Sequence, residues 1–153
     1  EHIIEPIEAL REWRRVLKPG GIIGIRDVEA GGCLLAPENE LLKRGIAIYF
    51  DISERLGGHT RIGRELGRLL HEAEFAEVRM SASYDIFSDY EDRKLFAQIA
   101  TTVTGAYFVE RATRCELATL EELQAMVDAW LPWQETHGAF HARSHCEAIG
   151  RKA

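Results

Sequence analysis

This 153-residue chain is short of cysteine and proline, and no long apolar run interrupts it. Its three cysteines, Cys33, Cys115 and Cys146, are odd in number, widely spaced and without a C-x-x-C pair. That pattern excludes a disulfide framework and a zinc knuckle as the organising device. No apolar stretch approaches the roughly 20 residues that cross a bilayer, and the run Ile22–Ile25 is broken by Gly24. Positive charge is not in excess either. The net charge is −6 and the pI about 5.5, so a phosphate backbone is repelled on average and no nucleic-acid partner is expected. No basic-then-apolar leader is evident; with unpaired cysteines, this makes the cytoplasm the expected compartment. What is present, 46% hydrophobic and 29% charged residues, is the balance of an ordinary globular domain with a proper core. The chain opens on Glu1 and reads as helix by Pro6, which raises the expectation that it is part of a longer reading frame.

Periodicity supplies the elements. Pro6 suits a first helical turn, and Ile7, Leu10, Trp13, Val16 and Leu17 then share one face until Lys18-Pro19-Gly20-Gly21 stops the helix. The β-branched run Ile22–Val28 predicts a strand buried on both faces, as in a parallel sheet. A helix over Glu38–Leu56 is expected to turn Leu41, Leu42, Tyr49, Ile52 and Leu56 inward, and a second over Ile62–Ala73 to bury Ile62, Leu66, Leu69, Leu70 and Ala73. From Glu77 to Phe87 apolar and polar residues alternate, the mark of a strand with one buried face: Val78, Met80, Ala82, Tyr84 and Ile86 against Glu77, Arg79, Ser81, Ser83 and Asp85. Helical spacing returns over Ser88–His137. Leu95, Phe96, Ile99 and Val103 share a face there, as do Leu120, Leu123, Met126, Val127, Trp130 and Leu131, with Thr119 and Glu122 placed for a capping box. Phe140–Ile149 alternates as a last strand. The order is α/β, but about three strands fall short of a self-sufficient sheet.

Two motifs then stand in order. Glu1-His2-Ile3-Ile4-Glu5-Pro6 opens the first helix, and Val16-Leu17-Lys18-Pro19-Gly20-Gly21 leads into the strand Ile22–Asp27. Together they resemble the class I S-adenosylmethionine-dependent methyltransferases, in particular the branch of ubiquinone and menaquinone biosynthesis methyltransferases. The resemblance implies a partial Rossmann-like methyltransferase fold comprising strands five, six and seven of the family sheet. Residues 1–153 would be the C-terminal part of a single domain, with 88–139 as a helical lid or insert before the last strand. It also implies S-adenosyl-L-methionine as cofactor and a small molecule as methyl acceptor. The family grips its cofactor with a Gly-rich loop and an acidic residue on its first two strands, and no G-x-G-x-G occurs here. The substrate side is what this chain would supply, and alone it is expected to be inactive.

Methyl transfer from a sulfonium asks the protein for alignment and exclusion of water, with a base only where the nucleophile loses a proton. In an open α/β sheet the site lies beyond the carboxyl ends of the strands. That placement makes His2 and Asp27 the candidate catalytic residues, Glu1 and His2 the candidate cofactor contacts, and Arg26 a substrate contact. Arg26 and Asp27 equally suit a solvated strand end. Tyr49, Phe50, Tyr107 and Phe108 are candidates to line an apolar substrate pocket, or ordinary core residues. Arg61, Arg64 and Arg68 share a helix face that would attract an anion, with Glu65 there to balance it.

Two other readings compete. His137, His141 and His145 would stack on a helix as metal ligands, but the alternation of Ala142, Ser144, Cys146 and Ala148 favours a strand. There His141 and His145 are roughly 13 Å apart, so no metal is expected. A non-catalytic methyltransferase-like partner subunit, completing an open sheet edge by homo-oligomerisation, is the alternative to an enzyme.

Overall fold

The computed structural model describes the backbone of residues 1–103 and 106–153, and side chains except those of 102–107. The elements in order are α1 (Pro6–Val16), β1 (Ile22–Val28), β2 (Leu34–Ala36), α2 (Glu40–Arg55), α3 (Leu66–Glu72), β3 (Ala76–Phe87), α4 (Tyr90–Val103), α5 (Ala106–Arg114), α6 (Leu120–Asp128), α7 (Trp130–Glu135) and β4 (Phe140–Arg151), with 3-10 turns at Ala30–Gly32 and Ile62–Glu65. The α/β expectation is met. The short strand β2 is an addition: three residues are too few to show a period.

Local chemistry sets the boundaries. Gly20, at φ +76°, turns the chain out of α1. Asn39 caps α2, its Oδ1 accepting from the backbone nitrogens of Leu41 and Leu42. Thr119 and Glu122 form the expected capping box on α6. β4 pairs antiparallel with β1, from Ile22 opposite Arg151 to Val28 opposite His145. It also pairs with β2, Leu34 opposite Ala142, and with β3.

The chain divides into two compact units. The first comprises residues 1–33, 57–85 and 143–153; the second comprises 34–56 and 86–142. In the first, Leu10 of α1 and Leu66, Leu69 and Leu70 of α3 pack with Ile62, Ala73, Phe75 and Ala148, and with half-buried Ile23 and Ile25 of β1. In the second, Leu42, Phe96, Trp130 and Trp133 form one cluster, and Ile48, Ile52, Phe108, Ala112, Leu123 and Met126 another.

Three expectations need correction. β1 is not buried on both faces: Ile23 and Ile25 are half-buried against the helices, but Ile22 is 55% exposed. α1 and α3 cover one face only. β3 has the expected alternation, yet Met80, Tyr84 and Ile86 are exposed; of its apolar face, Val78 joins the core. In the helices the buried stripe is narrower than the apolar one. Trp13, Val16, Leu41, Tyr49, Leu56, Leu95, Ile99, Leu120 and Leu131 are exposed, and Ile48 is buried instead of its neighbour Tyr49. Periodicity shows which residues share a face, and tertiary packing decides how much of that face is covered.

Leu70, fully buried, tests the first core. Leu70→Ala is expected to cost about 2–5 kcal/mol in urea unfolding, cavity included. Leu131→Ala, at 60% exposure, should cost less than about 0.5 kcal/mol. Equal losses would contradict the packing.

Candidate functional site

The carboxyl end of β1 is where an open α/β sheet places its ligand. Strand alternation divides its side chains. Asp27 lies opposite Cys146, on the face of Ile23 and Ile25, whereas Arg26 lies opposite Glu147 on the other face. Asp27 is half-buried. Its Oδ1 accepts from the Val28 nitrogen at 2.8 Å, and its Oδ2 lies 2.7 Å from the backbone nitrogen of Glu1. Glu1 Oε1 stands 3.2 Å from Nε2 of the highly exposed His2. The structure thus brings Glu1, His2 and Asp27 together and directs Arg26 away from them.

Arg26 joins three strands. Its Nη2 and Nη1 donate to Asp85 Oδ1 and Oδ2 at 2.7 and 3.3 Å, and its Nε to Glu147 Oε1 at 3.2 Å. The hydroxyls of Ser83 and Ser81 also donate to Glu147. Asp85 is held below the usual carboxylate range, first by its hydrogen bond from Arg26. Glu147 is lowered too, first by the Ser83 hydroxyl.

Just past β1 the chain turns on a second acid. Glu29 is buried and its carboxylate accepts from the backbone nitrogens of Gly31 and Arg64, from Arg64 Nε at 2.8 Å and from Arg64 Nη2. The Arg64 side chain is the first cause of its lowered pKa, against desolvation that raises it. Close approach makes this possible: a Cβ at Gly63 would stand 2.9 Å from the Val28 carbonyl oxygen and 3.2 Å from Cys146 Cβ. Burial pushes the Cys146 thiol up. Arg64 is therefore engaged within the fold, and Arg68 is bridged by Glu65 and Glu72, so that helix face carries its own counter-charges.

The aromatic candidates belong to the second unit. Tyr49 on α2 is 37% exposed, its ring 5.6 Å from that of Phe50. Phe108 on α5 is buried with Ile48, Ile52 and Ala112. The side chain of Tyr107 lies outside the described residues. β4 being a strand, the helical stack of His137, His141 and His145 does not form; His141 lies against Phe96, rings 4.1 Å apart. Sequence reasoning did not single out Glu29, Asp85 or Glu147. The polar face of β3 hinted at Asp85, but its partner on β1 depends on a register that no local pattern states.

The sequence likeness found is to a probable methyltransferase. The relative is the probable methyltransferase ltbC of Aspergillus luteorubrus, 27% identical over 165 residues, which cover 96% of this chain and 54% of the relative. The chain thus spans about half the relative's length. No family model matches. Among solved structures, Haemonchus contortus Phospholethanolamine N-methyltransferase 2, in complex with phosphomonomethylethanolamine and S-adenosylhomocysteine, aligns with 99% of this chain and 31% of its own at 12% identity and a TM-score of 0.38. Among the described residues no helix is long and apolar enough to cross a membrane.

The Glu29–Arg64 contact has a definite pH sign. A carboxylate whose folded pKa is depressed contributes stability that is fully present above its ordinary value of 4.5 and is lost as pH falls through the folded value. Glu29→Gln is expected to cost about 1–2 kcal/mol at neutral pH. The gap from the parent should close on acidification below 4.5, and a gap independent of pH in urea titrations would contradict the assignment.

Proposed function

We propose that this chain is the C-terminal, substrate-side portion of an S-adenosylmethionine-dependent methyltransferase acting on a small-molecule acceptor in the cytoplasm. The observation that carries the reading is the sequence likeness to a probable methyltransferase along 96% of the chain, over 54% of that relative's length. The motif pair at Glu1–Pro6 and Val16–Gly21 supports the C-terminal placement and the ubiquinone-like branch. His2 and Asp27, each in contact with Glu1 near the carboxyl end of β1, are proposed as the catalytic residues that orient the acceptor hydroxyl. Arg26 is proposed as a substrate contact. The helices over 88–139 are read as the substrate-recognising insert, and Tyr49, Tyr107 and Phe108 as its aromatic contacts; exposed Tyr49 is the first to test.

The residues present do not fit the whole cofactor. Asp27 Oδ1 already accepts from the Val28 nitrogen, and this chain holds no G-x-G-x-G loop to let backbone approach a nucleoside. Glu1 and His2 are proposed as edge contacts only, and the methyl-transfer step itself is not built from these residues.

Calorimetry with S-adenosylhomocysteine tests the reading. The 153-residue chain is expected to show no saturable heat, and a protein extended through the upstream reading frame to the relative's length should bind and transfer methyl groups. Binding or turnover by the short chain, or neither by the extended one, would overturn it. A stable homodimer of the short chain in light scattering, with an inactive extended protein, would favour a non-catalytic partner subunit.

A further inference from the structure

The polar face of the sheet holds one group that the proposed site leaves unused. His145 is buried on β4, opposite Val28 at the carboxyl end of β1. Its Nδ1 has no hydrogen-bond partner among the described residues and lies 3.7 Å from Asp85 Oδ2. Asp85 is not free to wander, because both its oxygens are engaged by the Arg26 guanidinium. The charged groups about the pair are Arg26 on β1, Asp85 on β3, and Arg143 and Glu147 on β4.

A buried imidazole nitrogen facing an ionised carboxylate is favoured in its N–H form, since the carboxylate can only accept. The second ring nitrogen then carries the lone pair. We propose that Asp85 holds His145 as the Nδ1–H tautomer, so that His145 Nε2 accepts a hydrogen bond, and then the proton, from a hydroxyl of a small-molecule ligand at the carboxyl end of β1. The inference rests on the substrate-side reading. His145 is the group that touches the ligand, Asp85 its positioning residue, and Arg26 holds Asp85. In the proton step the ligand's O–H bond breaks and its electron pair stays on oxygen. The proton bonds to Nε2, and the resulting imidazolium faces the Asp85 carboxylate through Nδ1–H. A separation of 3.7 Å exceeds a hydrogen bond, and unliganded catalytic contacts commonly tighten on binding.

Long-range proton–nitrogen correlation of the 153-residue chain, labelled with nitrogen-15 at histidine, reads the tautomer directly. Neutral His145 is expected to carry its proton on Nδ1. Asp85→Asn should abolish that preference. Arg26→Gln, which leaves the carboxylate in place, should keep the tautomer. An Nε2–H tautomer in the parent, or an unchanged tautomer in Asp85→Asn with a native-like amide spectrum, would overturn the proposal. 4-Nitrophenol serves as the hydroxyl probe. Its addition should move the Nε2 resonance of His145, with affinity at least about tenfold weaker in Asp85→Asn, equivalent to a loss of about 1.4 kcal/mol; an unmoved resonance would also overturn it. Failure of the methyltransferase reading shows separately, as an extended protein that neither binds S-adenosylhomocysteine nor transfers methyl groups.

Discussion

The pairing of β4 is the constraint on which the rest depends. This strand hydrogen-bonds with each of the other three, with β1 from Ile22–Arg151 to Val28–His145 and with β2 over its first residues. A slip of one residue would exchange its faces. Glu147 and His145 would then stand where Cys146 and Ala148 meet the helices, and burying their polar groups without partners would cost far more than the small residues do. The side chains of Leu70 and Phe75, close against Gly150, reinforce the register, because a larger residue on β4 at that point would collide with them.

That register sorts the chemistry at the carboxyl end of β1. Asp27 shares a face with the apolar residues that meet α1 and α3, and its Oδ1 accepts from the Val28 nitrogen. Arg26, one residue earlier, turns to the uncovered face and gathers acids from two other strands. A cation flanked by two carboxylates on a half-exposed sheet contributes modestly to stability, but it fixes the carboxylate that faces His145. The Glu29 turn sits just beyond, where Gly63 admits the chain closely enough for Arg64 to close on the acid. Charge at this end of the sheet is thus built from paired groups.

The second unit follows a different logic. Its helices assemble around aromatic rings, with Phe96 stacked on His141 and edge-on to Trp130 and Trp133. Such contacts hold short helices that would not persist alone in water. The likeness to a probable methyltransferase runs through both units, because it covers 96% of the chain.

The sequence alone determined what depends on neighbours along the chain. Pro6 and Gly20 bound α1, Thr119 and Glu122 cap α6, and alternation marks β3 and β4, because caps, turns and periodicities are interactions between residues a few positions apart. The two motifs that carry the family resemblance are local in the same sense. Tertiary structure decided which apolar faces are covered, leaving Met80 and Ile86 exposed while Ile25 is half-buried. It also joined Arg26 to Asp85 across 59 positions and Glu29 to Arg64 across 35. Those contacts exist only once strand pairing and helix packing have brought distant segments together, and no period in the sequence encodes the distance between them.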